Sequence, residues 1–101
     1  MSRYEVYTTP RALKEAQDLP GHMRQRVKRA IRALADNPRP SGSKDLDVAD
    51  LEQHEIRRLK LDKWRVIYAV TEADNAVDVL AVRKRPPYDY GDLETLLREL
   101  L

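Results

Sequence analysis

The chain contains no cysteine, which excludes disulfide bridges and thiolate metal sites and fits a reducing cytoplasm. It has no phenylalanine, one Trp and five Tyr, so its core must be mainly aliphatic. No apolar run approaches the roughly 20 residues that span a membrane, and the N-terminus lacks the apolar stretch of a signal peptide. Metal-ligand spacings, Gly-rich phosphate loops and nucleophile triads are also missing. The absences predict a cytoplasmic protein that needs neither a metal nor a cofactor.

What is present fits one small domain over residues 1–101. Hydrophobic residues make up 42% of the chain and charged residues 36%, enough for one modest core under a heavily ionic surface. The net charge is only +2, but 13 of the 19 Lys and Arg residues lie within 24–32, 57–65 and 83–85. The acidic residues concentrate in 45–55 and from 89 onward. A nearly neutral chain can therefore present one positive face.

The order of predicted elements is β-α-α-β-β-β-α, an α+β domain. Thr9 before Pro10 is typical of a helix start, with a hydroxyl N-cap and proline in the first turn. A second helix carries one apolar stripe, and the two helices form an antiparallel hairpin on a small antiparallel sheet. We predict strands at 3–8, 54–61, 64–71 and 76–85, and an amphipathic C-terminal helix with Leu93, Leu96, Leu97 and Leu100 on one side.

Side-chain alternation along these strands gathers basic residues on one face of the sheet. Arg58 and Lys60 share a face of their strand, and Arg65 lies opposite the apolar set that begins at Trp64. In the last strand, Val77, Val79, Ala81, Arg83 and Arg85 are predicted to be in phase. If the faces align, the cations that meet are Arg58, Lys60, Arg65 and Arg85. Because such a cluster repels itself, it favours an anion between its members.

The segments "YTTPRALKEAQDLP", "NPRPSGSKDL", "RRLKLDKWRVIYAV" and "VRKRPPYDY" resemble the RelE/ParE superfamily of bacterial toxins from type II toxin–antitoxin modules. The resemblance covers nearly the whole chain. It implies a small cytoplasmic β-α-α-β-β-β fold that is silenced by a cognate antitoxin in a hetero-oligomer.

The superfamily divides into two activities. RelE-like members are ribosome-dependent endoribonucleases that cut mRNA, and ParE-like members poison DNA gyrase without nuclease chemistry. The RelE pattern of basic residues and a tyrosine is matched here by Arg58, Lys60, Arg65, Arg85 and either Tyr88 or Tyr90. This match favours a translation-inhibiting mRNA endoribonuclease. A gyrase inhibitor is the alternative, and a relative that only binds its antitoxin is a third possibility.

The nuclease interpretation implies cleavage by attack of the RNA 2′-hydroxyl, without a metal. Lys60 or the phenol of Tyr88 or Tyr90 would assist the nucleophile, Arg65 and Arg58 would hold the phosphate, and Arg85 would lie by the leaving oxygen. The first basic position is often Lys in the family but is Arg58 here. A guanidinium is a poor proton acceptor, so Arg58 is expected to stabilise charge.

Further contacts with ribosomal RNA or mRNA are predicted for the basic helix face and the last strand, through phosphates. Purely structural alternatives stay open for several of these residues. Arg58 and Lys60 could protect a strand edge from aggregation, and Arg65 could pair with Glu72 or Asp78. The predicted RNA-contacting residues are Arg24, Lys28, Arg32 and Arg83.

Overall fold

The computed structural model describes residues 3–46 and 54–84 as two helices against a five-stranded sheet. The strand order across the sheet is β1-β5-β4-β3-β2. A short 3₁₀ turn, Glu72–Asp74, joins β4 to β5. The elements are β1 (Glu5–Thr8), α1 (Pro10–Gln17), α2 (Gly21–Ala33), β2 (Ser43–Asp45), β3 (Glu55–Leu61), β4 (Trp64–Thr71) and β5 (Ala76–Lys84).

Both helices form where their local signals predict. The Thr9 hydroxyl accepts a hydrogen bond from the Ala12 N–H at 3.2 Å, and Pro10 occupies the first turn of α1. The predicted apolar stripe of α2 faces inward, since Met23 and Val27 are buried. Leu34, just after α2, is completely buried. The helices therefore offer one continuous apolar side to the sheet.

The α+β class is confirmed, while the sheet is mixed and larger than the sequence predicts. Strands β3, β4 and β5 form the expected antiparallel meander. Its turns place Asp62 and Asn75 at φ 58° and 48°, which Asp and Asn tolerate better than most residues. β1 runs parallel to β5, and the short β2 adds an edge beyond β3. Neither pairing has a turn signal, because the paired segments are far apart in the sequence.

A large apolar cluster lies between the helices and one face of the sheet, and Ile56, Ile67 and Ala69 are buried on the other face. Leu59, Val66 and Val82 from three adjacent strands join the helical side chains there. Tyr68 is also completely buried, and its hydroxyl donates a 2.7 Å hydrogen bond to the Pro38 carbonyl. This bond ties the segment after α2 to the central strand.

A β-bulge corrects the predicted phase of β5. Ile67 pairs with Ala81, and the next residue, Tyr68, pairs with Val79, so Leu80 is an extra residue in β5. Val79 therefore faces the helices, whereas Ala81 and Arg83 face the other side. The prediction that Val79, Ala81 and Arg83 share one face is wrong, because hydrophobic alternation cannot locate an inserted residue.

The predicted C-terminal helix lies outside the described residues. So do three of the predicted site residues, which are Arg85, Tyr88 and Tyr90. Within 3–46 and 54–84, neither helix has the length and apolar character needed to cross a membrane.

Candidate anion-binding site

A row of three cations crosses the sheet on the face away from the helices. Lys60 on β3 pairs with Arg65 on β4, and Arg65 pairs in turn with Arg83 on β5. All three alternate with helix-facing core residues, namely Leu59, Val66 and Val82. The bulge at Leu80 is what brings Arg83 into this first cationic row.

A second cationic row lies one step along the strands. Arg58 on β3 pairs with Lys44 on the edge strand β2, and on its other side with Ile67. Lys44 is exposed and Arg58 is partly buried. The two rows together form the cationic face, which consists of Lys44, Arg58, Lys60, Arg65 and Arg83.

The described residues provide little compensating negative charge for this face. None of their carboxylates forms an ion pair with Arg58, Lys60 or Arg65. Glu72, one of the partners considered for Arg65, instead pairs with Arg39 at 2.7 Å. Like charges directly opposite each other in a sheet are destabilising, so the arrangement costs folding stability.

Arg65 is the most buried member of the cationic face, with 4% of its surface exposed. Its Nη1 donates to the carbonyls of Asp62 and Trp64, each at 2.9 Å, which orients the guanidinium beside the hairpin turn. Its Nε is buried and has no hydrogen-bond partner among the described residues. An unpaired donor of this kind costs about 1–3 kcal/mol.

Glu15 on α1 contacts the C-terminal end of β5. The pairing of β5 with β1 ends at Val79. Beyond it, the Glu15 carboxylate accepts a 3.0 Å hydrogen bond from the N–H of Val82. The same carboxylate lies 3.6 Å from Nε of Arg83. It therefore draws Arg83 toward α1 and away from Arg65. Glu15 could not be predicted from the sequence, since nothing in the sequence links 15 to 82.

The neighbouring residue Arg57 shows the opposite arrangement. It lies on the other face of β3 and donates to Glu55 at 2.6 Å and to the Ser43 hydroxyl at 3.0 Å. Arg39 also binds Glu55. Burial alone would raise the pKa of Glu55, but the hydrogen bonds from Arg39 and Arg57 outweigh it and hold the pKa below its usual value. Arg57 is thus a structural cation.

The structure supports neither edge protection by Arg58 and Lys60 nor an ion pair of Arg65 with Glu72 or Asp78. β3 lies between β4 and β2, and the Lys60 N–H donates to the Gly42 carbonyl at 3.0 Å, so Arg58 and Lys60 are not on an unpaired edge.

His54, immediately before β3, forms a hydrogen bond through Nδ1 with the Thr71 hydroxyl at 2.7 Å. It is therefore separated from the cationic face along the strand.

The predicted basic helix face forms a different surface. Its residues border a groove of about 530 Å³ among α1, α2 and β1, with Val27 and Ile31 in its lining. This groove is on the helical layer, and the cationic face is on the far side of the sheet. The predicted RNA contacts Arg24, Lys28 and Arg32 therefore lie on a different layer from Arg58, Lys60 and Arg65, whereas Arg83 reaches toward α1 through Glu15.

The sequence prediction also missed Lys44. The segment "SKD" lacks the apolar alternation of a strand, and only its pairing with β3 brings Lys44 beside Arg58. No three His, Asp or Glu side chains within residues 3–46 and 54–84 are grouped as metal ligands.

Several solved toxin structures share this fold. RelE in the RelE–RelB complex of the archaeon Pyrococcus horikoshii superposes with a TM-score of 0.75 at 24% identity, covering 85% of this chain and 99% of that one. A free mutant of Escherichia coli RelE gives 0.67 at 20% identity, with both chains fully covered. The E. coli RelBE complex gives 0.60 at 25% identity, covering 80% of this chain and 95% of that one.

No curated protein sequence matches the chain. A family model for the ParE toxin of the type II toxin–antitoxin system parDE matches residues 6–86. The match spans every helix and strand that the structure describes except the first residue of β1. The chain therefore belongs to the ParE toxin family, within the RelE/ParE superfamily of type II toxin–antitoxin toxins.

Proposed function

We propose that this toxin is a ribosome-dependent mRNA endoribonuclease and that a phosphodiester of the message binds at Arg65. The observation that carries the proposal is the position of Arg65, which pairs with Lys60 and Arg83 across the first row and forms no ion pair with a carboxylate of the described residues. Guanidinium groups bind phosphate oxygens through two parallel hydrogen bonds, so Arg65 suits this ligand.

The proposed reaction needs no redox partner. The 2′-oxygen attacks phosphorus, the bond to the 5′-oxygen breaks, and the products are a 2′,3′-cyclic phosphate and a 5′-hydroxyl. Arg65 stabilises the extra negative charge on the phosphorane, the contribution that is usually largest in such sites. Arg58 adds positive charge from the neighbouring second row and accepts no proton.

The proton transfers are assigned to residues that the family pattern predicts. The 2′-hydroxyl proton passes to the neutral amine of Lys60 or to the phenolate of Tyr88 or Tyr90, and the departing 5′-oxygen takes a proton from solvent water. Arg85 is assigned the stabilisation of the charge on that oxygen. Of these, the structure describes only Lys60, an exposed residue that pairs directly with Arg65 across the strands. A correctly placed acid or base contributes about 10²–10⁴-fold to the rate.

The cognate antitoxin is the proposed protein partner, and the toxin acts in the cytoplasm. Support comes from solved relatives, which include RelE–RelB and RelBE complexes. Ribosome binding is assigned to phosphate contacts of the exposed basic residues Arg24, Lys28 and Arg32 on the helical layer.

Inhibition of DNA gyrase is the second candidate function. It is favoured by the family model, which is that of a ParE toxin. This activity would need no bound phosphodiester at Arg65. The two candidates therefore differ in whether the cationic face takes part.

The test measures mRNA cleavage on programmed ribosomes by wild type, Arg65→Gln and Lys84→Gln, with product ends mapped. Lys84 is the control because it is exposed and pairs with Trp64 on the helix side. We expect Arg65→Gln to cut about 10²–10³-fold more slowly and Lys84→Gln to cut normally. Wild-type cutting by a folded Arg65→Gln protein would overturn the assignment. A wild-type protein that leaves mRNA intact but blocks gyrase supercoiling would establish the second candidate.

A further inference from the structure

We propose that Lys44 and Arg58 bind a second, adjacent phosphate of a single-stranded RNA, separate from the phosphate at Arg65. The inference rests on the proposed function and extends it. It assigns a role to Lys44, which the family pattern does not include, and makes the cationic face a track for at least two consecutive nucleotides.

The spacing of the two rows supports two separate positions. Arg58 and Lys60 are two residues apart on β3, which places the rows about 7 Å apart along the strand. Lys44 and Arg83 lie on β2 and β5, three strand spacings apart, or about 14 Å across the sheet. An array of this length has room for more than one phosphate. The contact between Arg83 and Glu15, at 3.6 Å, further holds that end apart from Lys44.

The charge distribution defines a direction across the sheet. In the second row, the cations stop at β3, because the next residues in register are Ile67 and Ala81. In the first row, the cations continue to β5. The positive charge thus runs diagonally, from Arg83 and Arg65 through Lys60 to Arg58 and Lys44. A flexible chain with one negative charge per nucleotide fits this diagonal.

The second row is also available to a ligand. Lys44 is exposed, and neither Lys44 nor Arg58 forms an ion pair with a carboxylate of the described residues. Asp45, the next residue on β2, pairs with Arg57 and so lies on the opposite face. An RNA phosphate would therefore be their counter-ion on this side of the sheet.

The first experiment measures binding of a 2′-O-methyl oligouridylate octamer, which cannot be cleaved by 2′-hydroxyl attack, as a function of salt. For single strands, log K changes with log salt by about 0.7 per phosphate contact, so Lys44→Gln should lower the slope by about 0.7. This corresponds to about five-fold weaker binding at 0.1 M salt. The control is Lys14→Gln, which removes the same charge from an exposed site on α1. Equal slopes for Lys44→Gln and wild type, or no binding by wild type, would overturn the inference.

The second experiment locates the phosphate. One linkage of a message on programmed ribosomes is made neutral as a methylphosphonate, immediately 5′ or 3′ of the cleaved bond. One of these changes should slow wild-type cutting and add nothing to the slowing caused by Lys44→Gln. Fully additive losses at both positions would contradict the second site while leaving the nuclease proposal intact. Conversely, a normal Lys44 effect on oligomer binding with no mRNA cleavage would reject the nuclease and retain the binding track.

Discussion

The two faces of the central strands are formed by alternate residues of the same segments, and one is apolar whereas the other carries cations. On the helix side, Leu59, Val66 and Val82 lie in one buried cluster, and polar groups there are paired, as the Tyr68 hydroxyl is with Pro38. On the other side, the matching positions 60, 65 and 83 carry three cations in one row. The first face is a continuous apolar cluster, whereas the second combines buried Ile56, Ile67 and Ala69 with a row of like charges that costs stability.

The largest expected loss of stability comes from a substitution in the helix-facing core. Leu34 has no exposed surface, and truncating it to Ala should lower the free energy of unfolding by about 2–5 kcal/mol, measured in urea. Leu13, on α1, is 50% exposed and serves as the matched control, because Leu13→Ala removes the same atoms without leaving a buried cavity. Equal losses for the two variants would show that the core is not where the structure places it.

A smaller effect of opposite sign is expected on the cationic face. Replacing Lys60 with Gln removes one of two like charges that face each other across β3 and β4, so unfolding should cost about 0.2–0.5 kcal/mol more at low salt. The gain should fade as salt screens the repulsion. The same variant should cut mRNA more slowly, whereas Lys84→Gln should show neither change. A loss of stability in Lys60→Gln would mean that its charge is already neutralised.

Two acidic residues should differ in the sign and pH dependence of their contributions to stability. The folded-state pKa of Glu55 lies below its usual value, so its ion pairs stabilise the protein at neutral pH and are lost as pH falls through that folded value. Glu55→Gln should therefore cost about 0.5–1 kcal/mol at pH 7, and this cost should shrink as pH falls through the lowered pKa of folded Glu55.

Asp78 should behave in the opposite way. Burial raises its pKa despite the opposing influence of His54, so its ionised form is disfavoured in the fold. Because the group is partly exposed, solvent screening limits the effect, and Asp78→Asn should stabilise the protein by only about 0.2–0.5 kcal/mol at pH 7. The gain should vanish as pH falls below the carboxyl pKa. Urea unfolding of both variants at pH 4 and pH 7 measures the two signs, and matching signs would contradict this assignment.

Local patterns were enough to predict most of the fold. The Thr9–Pro10 cap, the stripe through Met23 and Val27, and the β3–β4–β5 meander all follow from interactions between residues close in sequence. The parallel pairing of β1 with β5 does not, because it forms only after both helices have returned the chain to the sheet.

The candidate site was predictable in part for the same reason. Alternation alone places Arg58 and Lys60 on one face, and the hairpin register adds Arg65 to it. Arg83 joins them only through the bulge at Leu80, and Lys44 only through the β2–β3 pairing. Neither feature leaves a signal in composition or periodicity. The catalytic roles of Arg85, Tyr88 and Tyr90 remain predictions from the family pattern.

The most direct test uses two adjacent arginines of β3 that belong to opposite faces. Arg57 is held by Glu55 and Ser43, whereas Arg58 belongs to the cationic face. Cleavage on programmed ribosomes and urea unfolding should be measured for Arg57→Gln and Arg58→Gln in parallel. Arg58→Gln should cut at least about 10-fold more slowly without losing stability, since the repulsion from the charge of Lys44 opposite it is relieved. Arg57→Gln should cut normally while losing about 1–3 kcal/mol. Equal cleavage by the two variants would contradict the claim that the cationic face binds RNA.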